Sequence, residues 1–347
     1  MRKKSLSYLL LTLLLVITSI LSIWSVSKMF GDGDFLLSFS FLSPTSIASI
    51  IALLFVYFLF DSLRFYYCLR TLDIRLSFLF VVKLSFIGVF VTAITPFATG
   101  GGFAQVYFLV RQKVPLGSAV AASTMRTLLG FVFFLIAAPL SVFINPALIG
   151  LIGEGYSWIF TGTFIIFSTI IIFLLWIVIG ERSARYLIYK LMRFCRRRRI
   201  LSPHRARKLC LGFFSEVRNF AAGIRLFLHG PKKYIGLSIL FTLLFLFTLF
   251  SIPMLLTRVM GYGLSPLFVY QSMIVITFMM NFAVTPGASG IAEAGFAMMF
   301  SNAISSADID ELTLLWRSLS VYAGVIIGMV VFYYEVFMKR KKAMPNE

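Results

Sequence analysis

Six stretches of this chain are long and apolar enough to cross a bilayer, and that fact limits its fold more than any other. Crossing the hydrocarbon takes about 20 apolar residues, and Leu6–Val26, Ser46–Leu69, Ser118–Phe143, Tyr156–Ile179, Tyr234–Thr257 and Leu312–Phe337 all meet that length. In lipid every backbone N–H and C=O needs an internal partner, so such segments are expected to be helices. Leu6–Val26 follows three basic residues, as a signal peptide would. It is too long for a signal core and no small-residue cleavage pattern follows, so it reads as a retained first span.

Two further apolar segments, Phe78–Thr95 and Pro266–Thr285, behave differently. Each runs into a Thr-Pro pair followed by glycines, and only a short apolar piece comes next, Phe103–Val110 or Ile291–Phe300. Charge parity decides what they do. The segment Arg182–Lys233 holds fifteen basic residues and one acid, Glu216; basic clusters also sit at Arg2–Lys4 and Lys339–Lys342. By the positive-inside rule all three are cytoplasmic. Counting either interrupted segment as a full crossing puts a basic cluster outside. Both conflicts vanish if each segment and its short partner go in and return on the same side. The expected fold is therefore all-α and polytopic, with six transmembrane helices and two re-entrant helical hairpins. The chain reads as one membrane domain, 1–347, with cytoplasmic termini.

The hairpins repeat. Thr95-Pro96-Phe97-Ala98-Thr99-Gly100 aligns with Thr285-Pro286-Gly287-Ala288-Ser289-Gly290, and the flanking spans keep an offset of about 190 residues. Arg126 and Arg317 follow the tip threonines by 31 and 32 residues. Three crossings separate the units 46–143 and 234–337, so they are expected to be inverted and their hairpins opposed. Many secondary transporters are built this way, with the site between broken helices near the midplane.

The marked residues suit an anion. Pro96 and Pro286 break the incoming limb. Gly100, Gly101, Gly102, Gly287 and Gly290 permit positive φ or a close approach. The returning limbs present helix N-termini, whose free N–H groups favour phosphate. Arg126 and Arg317 lie inside spans, where an arginine normally faces the bundle interior with a ligand or a partner. Each reads either as a grip on a lipid phosphate or as half of an ion pair, with Glu293 the partner considered; Arg317 could also snorkel outward. Glu293 could pair with an arginine, cap the tip, meet a cationic headgroup or carry a proton, and Gln105 stands near the equivalent place in the first hairpin. The residues expected to bind substrate are thus Thr95, Pro96, Gly100, Gly101, Gln105, Arg126, Thr285, Pro286, Gly290, Glu293 and Arg317. Asp61 and Arg64 read as a local pair, and Lys83 as snorkelling to the cytoplasmic face.

A net charge of +19 would suggest nucleic acid in a soluble protein. Here the basic residues lie between apolar spans, so 182–233, which mixes them with apolar residues at helical spacing, is expected to lie along the cytoplasmic leaflet against anionic lipid. The three cysteines have no paired spacing, and His204 and His229 have no carboxylate cluster near them. No nucleotide loop or catalytic triad is present, so neither a cofactor nor a metal is expected.

The motifs TPFATGGGFAQVYFLVRQ followed by Arg126, and TPGASGIAEAGFAMMF followed by Arg317, resemble the membrane domain of lysylphosphatidylglycerol synthases, which also occurs alone in flippase-like proteins. The resemblance covers nearly the whole chain. It departs at Gly102-Phe103, where the family pattern implies an acidic or amide residue. In the fused synthases it implies a membrane part that moves aminoacylated phosphatidylglycerol between leaflets and a soluble part that makes this lipid. The sequence stops ten residues after Phe337, so the soluble part, and with it a lysyltransferase activity, is not expected here.

The function expected is translocation of an anionic or aminoacylated phospholipid, or of a polyprenyl-phosphate-linked lipid, across the cell membrane, without enzymatic chemistry. The rival is a non-transporting partner of an envelope-lipid enzyme, docked through 182–233. Expected partners are the transported lipid, anionic inner-leaflet lipids, that enzyme in the rival case, and a second copy of the chain if it oligomerises. Nucleic acid is not among them.

Overall fold

The computed structural model describes residues 43–95, 100–152, 224–281 and 283–338, with isolated helical positions at 222 and between 158 and 172. The span Leu6–Val26, most of Tyr156–Ile179, the tip residues 96–99 including Pro96, and 182–221 with 223 of the basic segment lie outside the described residues.

Helices are the only regular structure among the described residues. They are α1 (Pro44–Thr71), α2 (Phe78–Ile94), α3 (Gly100–Arg111), α4 (Leu116–Ile144), α5 (Ala147–Ile152), α6 (Lys232–Val259), α7 (Pro266–Met280), α8 (Ile291–Phe300), α9 (Ser306–Arg317) and α10 (Ala323–Tyr333). Serine caps start several of them: Ser43, Ser77 and Ser305 each accept from a backbone N–H three residues on.

Length separates two kinds of helix. Pro44–Thr71, Leu116–Ile144, Lys232–Val259 and the continuous run Asp308–Val336 have 28 or 29 residues each. At 1.5 Å per residue they reach about 42 Å, enough for the hydrocarbon core and the interfaces. The chain is a multi-pass membrane protein on this ground. By contrast α2, with 17 residues, and α7, with 15, reach only about 25 and 22 Å. Neither crosses about 30 Å of hydrocarbon alone.

Each short helix turns back on itself. A Cβ at Gly101 would overlap Thr92 Oγ1 and lie 2.6 Å from the Gly88 carbonyl, and Gln105 lies against Gly88. These pairs, numbers rising on one helix as they fall on the other, make α2 and α3 an antiparallel hairpin packed through glycine. In the second hairpin Gly295 of α8 faces Ile276 of α7, and Phe300 meets Phe268 at 5.7 Å between ring centroids.

The rest of the bundle is arranged around the hairpins. Helices α1 and α6 run antiparallel, with Tyr57 on Phe245 at one end and Tyr67 on Tyr234 at the other. Helix α10 runs antiparallel to α2: Gly324 faces Val89, Gly328 meets the Phe86 carbonyl, and Glu335 bonds Lys83 at 3.2 Å. Lys83 thus pairs with an acid across the helix contact, where snorkelling alone was expected. Helix α7 packs on α4. The incoming helix of the first hairpin therefore rests on α10, and that of the second on α4.

Two apolar cores result. One gathers Phe65, Leu84, Phe90, Phe108 and Phe332 around the first hairpin. The other gathers Phe250, Phe278, Phe296, Phe300 and Trp316 around the second, with Phe296 stacked on Trp316 at 4.7 Å. Between them lies the site.

Candidate functional site

A cavity of about 420 Å³ opens where both tips meet α1, α4 and α6. Gly101, Gly102 and Gln105 of the first hairpin and Thr285, Gly287 and Ala288 of the second contribute to one wall set. Ligand pockets commonly run from about 300 to 1,000 Å³, mostly apolar with a few placed polar groups. This one follows that pattern, with Phe131, Phe134, Phe245 and Leu246 beside Asp61, Arg64 and Arg126.

The charged corner is built from two helices. Asp61 and Arg64 sit one turn apart on α1, and Arg126 arrives from α4. Arg126 Nη2 donates to both Asp61 oxygens at 2.7 Å, while Arg64 Nε donates to Oδ1 at 2.8 Å. The Arg64 guanidinium also lies 3.8 Å above the Phe245 ring. Two guanidinium charges against one carboxylate leave this corner with one positive charge. Among the described residues Arg126 Nε has no partner, nor has the amide nitrogen of Gln105, a residue only 2% exposed. Gln105 accepts from Ser123 through its oxygen, which turns that amide toward Gly88 and into the contact between α2 and α3. Both nitrogens are buried within the wall, so what the corner offers the cavity is its charge.

The second tip is built otherwise. Gly287 and Gly290 take φ of 63° and 95°, and Ala288 takes 58°, a left-handed conformation that L residues rarely adopt. Arg317 locks this shape from behind: its Nη2 donates to the Gly287 carbonyl at 2.6 Å, and its Nε lies 3.0 Å from Glu293 Oε1. Glu293 Oε2 in turn accepts from the Gly290 N–H at 2.7 Å, at the start of α8. Both side chains are 0% exposed. The negative charge that a helix N-terminus attracts is here supplied by the chain itself. Immediately after Arg317 the helix widens into a π-turn, Ser318–Tyr322, which carries Ser320 and Val321 to the cavity wall.

Of the eleven residues marked by sequence, Gly101, Gln105, Arg126 and Thr285 line the cavity. Thr95, Gly100, Pro286, Gly290, Glu293 and Arg317 shape the tips without lining it. Thr95 Oγ1 accepts from the Gly100 N–H at 3.0 Å, starting α3. Pro96 is outside the described residues. Arg317 does not snorkel, being fully buried. Its partner is Glu293, whereas the partner of Arg126 is Asp61, drawn away from a purely local pair with Arg64. The sequence reading passed over Asp61 and Arg64 as wall residues, and Thr92, Thr127, Thr277, Asn281 and Ser320 as polar lining. The signal available was three charges placed within two apolar spans.

Comparison with known proteins places these features. The family model described as the lysylphosphatidylglycerol synthase TM region matches residues 9–328. A protein of Archaeoglobus fulgidus described as a UPF0104 membrane protein is 26% identical over 278 residues, which is 78% of this chain and 80% of that relative. On that match, which spans most of its length, the chain belongs to the lysylphosphatidylglycerol synthase transmembrane-region family.

Proposed function

We propose that this chain is a lipid translocase, not an enzyme, which moves an anionic or aminoacylated phospholipid, or a polyprenyl-phosphate-linked lipid, between leaflets of the cell membrane. The observation that carries the proposal is one cavity walled by both tips, with a corner of net positive charge beside phenylalanine. A phosphoryl group answers that corner. Its oxygens would meet the Arg126 and Arg64 guanidinium groups, and the phenylalanine wall would meet the less polar part of the lipid.

Alternating access follows from the inverted repeat, units 46–143 and 234–337. Three features support it: α2 and α7 are too short to cross, α1 runs antiparallel to its counterpart α6, and each hairpin rests on the other unit. On this reading the hairpins enter from opposite sides, both termini are cytoplasmic, and 182–233 lies on the inner leaflet. Rocking of one unit against the other would expose the cavity to each leaflet in turn.

Reconstitution into vesicles tests the function. Acyl-labelled anionic phospholipid should change leaflets with wild-type protein and at least about tenfold more slowly with Arg126→Ala, the loss expected of one charged contact. Equal rates would sink the site. No movement by wild type, together with stable capture of an envelope-lipid enzyme, would favour the scaffold reading.

A further inference from the structure

The charge balance of the cavity separates headgroups that the proposed function leaves together. Asp61 is the only carboxylate among the described residues that line it. Its Oδ1 faces Arg64 Nε and Nη2 as well as Arg126 Nη2, and its Oδ2 takes Arg126 Nη2 again, all within 2.8 Å. A carboxylate so engaged has little capacity left for an incoming ammonium. Glu293, the acid nearest the second tip, lies wholly buried behind the wall, held by Arg317 and by the Gly290 N–H. The undescribed tip residues 96–99 are Pro, Phe, Ala and Thr, so they bring no carboxylate either.

The charge that remains on the wall is of the opposite kind: two guanidinium groups, Arg64 and Arg126, share the one carboxylate. The same wall carries the neutral groups Thr277, Asn281, Thr285 and Ser320. Asn281 spends its amide nitrogen on the Thr277 carbonyl at 2.8 Å, which leaves its oxygen as the atom for a ligand hydroxyl.

Resting on the translocase reading, we infer that the cavity takes a phosphodiester monoanion whose headgroup is uncharged and bears hydroxyls, and excludes lipids whose headgroup carries an ammonium. The phosphoryl oxygens sit against the Arg64–Arg126 corner, and the headgroup hydroxyls reach Asn281, Thr285 and Ser320. With the phosphate already matched to the one positive charge of the corner, an ammonium would find no counter-ion among the described wall residues, and uncompensated charge is what excludes wrong partners from a desolvated site. A lysyl ester of phosphatidylglycerol carries two ammonium groups, so the aminoacylated lipid that the family description evokes is the disfavoured one here.

The test uses the whole protein in vesicles containing equal amounts of acyl-labelled phosphatidylglycerol or its lysyl ester, and the purified protein in detergent with each lipid. Phosphatidylglycerol should move at least about tenfold faster than the lysyl ester. It should also raise the melting temperature in detergent, where the lysyl ester leaves it unchanged. Asn281→Asp, checked for folding by size exclusion, adds a carboxylate to the cavity wall and should shift the ratio about tenfold toward the lysyl ester. Equal movement of the two lipids, or equal stabilisation by them, overturns the inference, as does an unmoved ratio in Asn281→Asp. If neither lipid moves, the translocase reading falls, and the melting shifts still decide the headgroup preference. Glycerol phosphate supplies the same polar chemistry without acyl chains. Stabilisation by it equal to that by phosphatidylglycerol would assign the site to a soluble phosphoester and overturn the lipid.

Discussion

Arg126 and Arg317 follow two similar Thr-Pro motifs by 31 and 32 residues, and they have come to opposite uses. Arg126 lies at the cavity with 12% of its side chain exposed, shares Asp61 with Arg64 and keeps one nitrogen unmatched. Arg317 is 0% exposed and reaches back to the second tip, where it holds the Gly287 carbonyl and Glu293. The difference is one of partner placement. A carboxylate three residues past Gly290 converts an arginine into a brace for a strained loop, while the first hairpin has Phe103 at the aligned position and only the neutral Gln105 nearby. The first arginine then turns to a more distant acid and remains in reach of a ligand. Two similar motifs each carry an arginine, and one acid side chain separates their roles.

The largest effect expected from breaking this contrast is at Glu293. Glu293→Gln strands the buried Arg317 charge and loosens the Gly290 N–H, so detergent-purified protein should lose about 3–5 kcal/mol of stability, read from thermal or denaturant melts. A loss below about 1 kcal/mol would mean that Arg317 is not a brace.

Gly101→Ala comes next. Its Cβ would overlap Thr92 Oγ1 and crowd the Gly88 carbonyl, so the first hairpin must part by a few tenths of an ångström. Overpacking of this kind costs about 1–3 kcal/mol, and the same melts measure it. Lipid movement should fall too, because Gly101 is part of the cavity wall.

The smallest stability effect is expected at Arg126. Asp61 keeps Arg64 after Arg126→Ala, so the melts should shift by only about 1–2 kcal/mol, the range for losing hydrogen bonds while the remaining charge stays paired. Movement of lipid, by contrast, should nearly stop. The comparison predicts a crossed pattern: Glu293→Gln harms folding first, and Arg126→Ala harms transport first.

Much of this was legible in the sequence, and the limits have physical causes. The four long helices stand within a few residues of the apolar runs Ser46–Leu69, Ser118–Phe143, Tyr234–Thr257 and Leu312–Phe337, because length and hydropathy dictate spans directly. The paired breaks at Thr95 and Thr285 announced helices that stop, since Pro and Gly punctuate locally. Helix α3 begins at Gly100, three residues before the apolar piece that marked it, because Thr95 caps the glycines into the helix. The partner of Arg126 was not legible. Asp61 lies 65 residues earlier, and only the crossing of α1 with α4 brings them together. The pairing of Arg317 with Glu293 could be named as an option because the two share one unit, yet choosing it required the turn at Gly287. The inner polar wall of Thr277, Asn281 and Ser320 carries no charge and left no sequence signal at all.

The central claim is that a phospholipid headgroup occupies the cavity between the tips and is held there by Arg126. A diazirine-bearing side chain at Leu249, on the cavity wall, tests it directly when the protein is irradiated in phosphatidylglycerol vesicles. The same group at Leu79, on the outer surface with 74% exposure, reports bulk lipid. The account predicts lipid capture at both places, with capture at Leu249 alone falling at least about tenfold when Arg126→Ala is added. Capture at Leu249 that is absent, or that persists unchanged without Arg126, would contradict it.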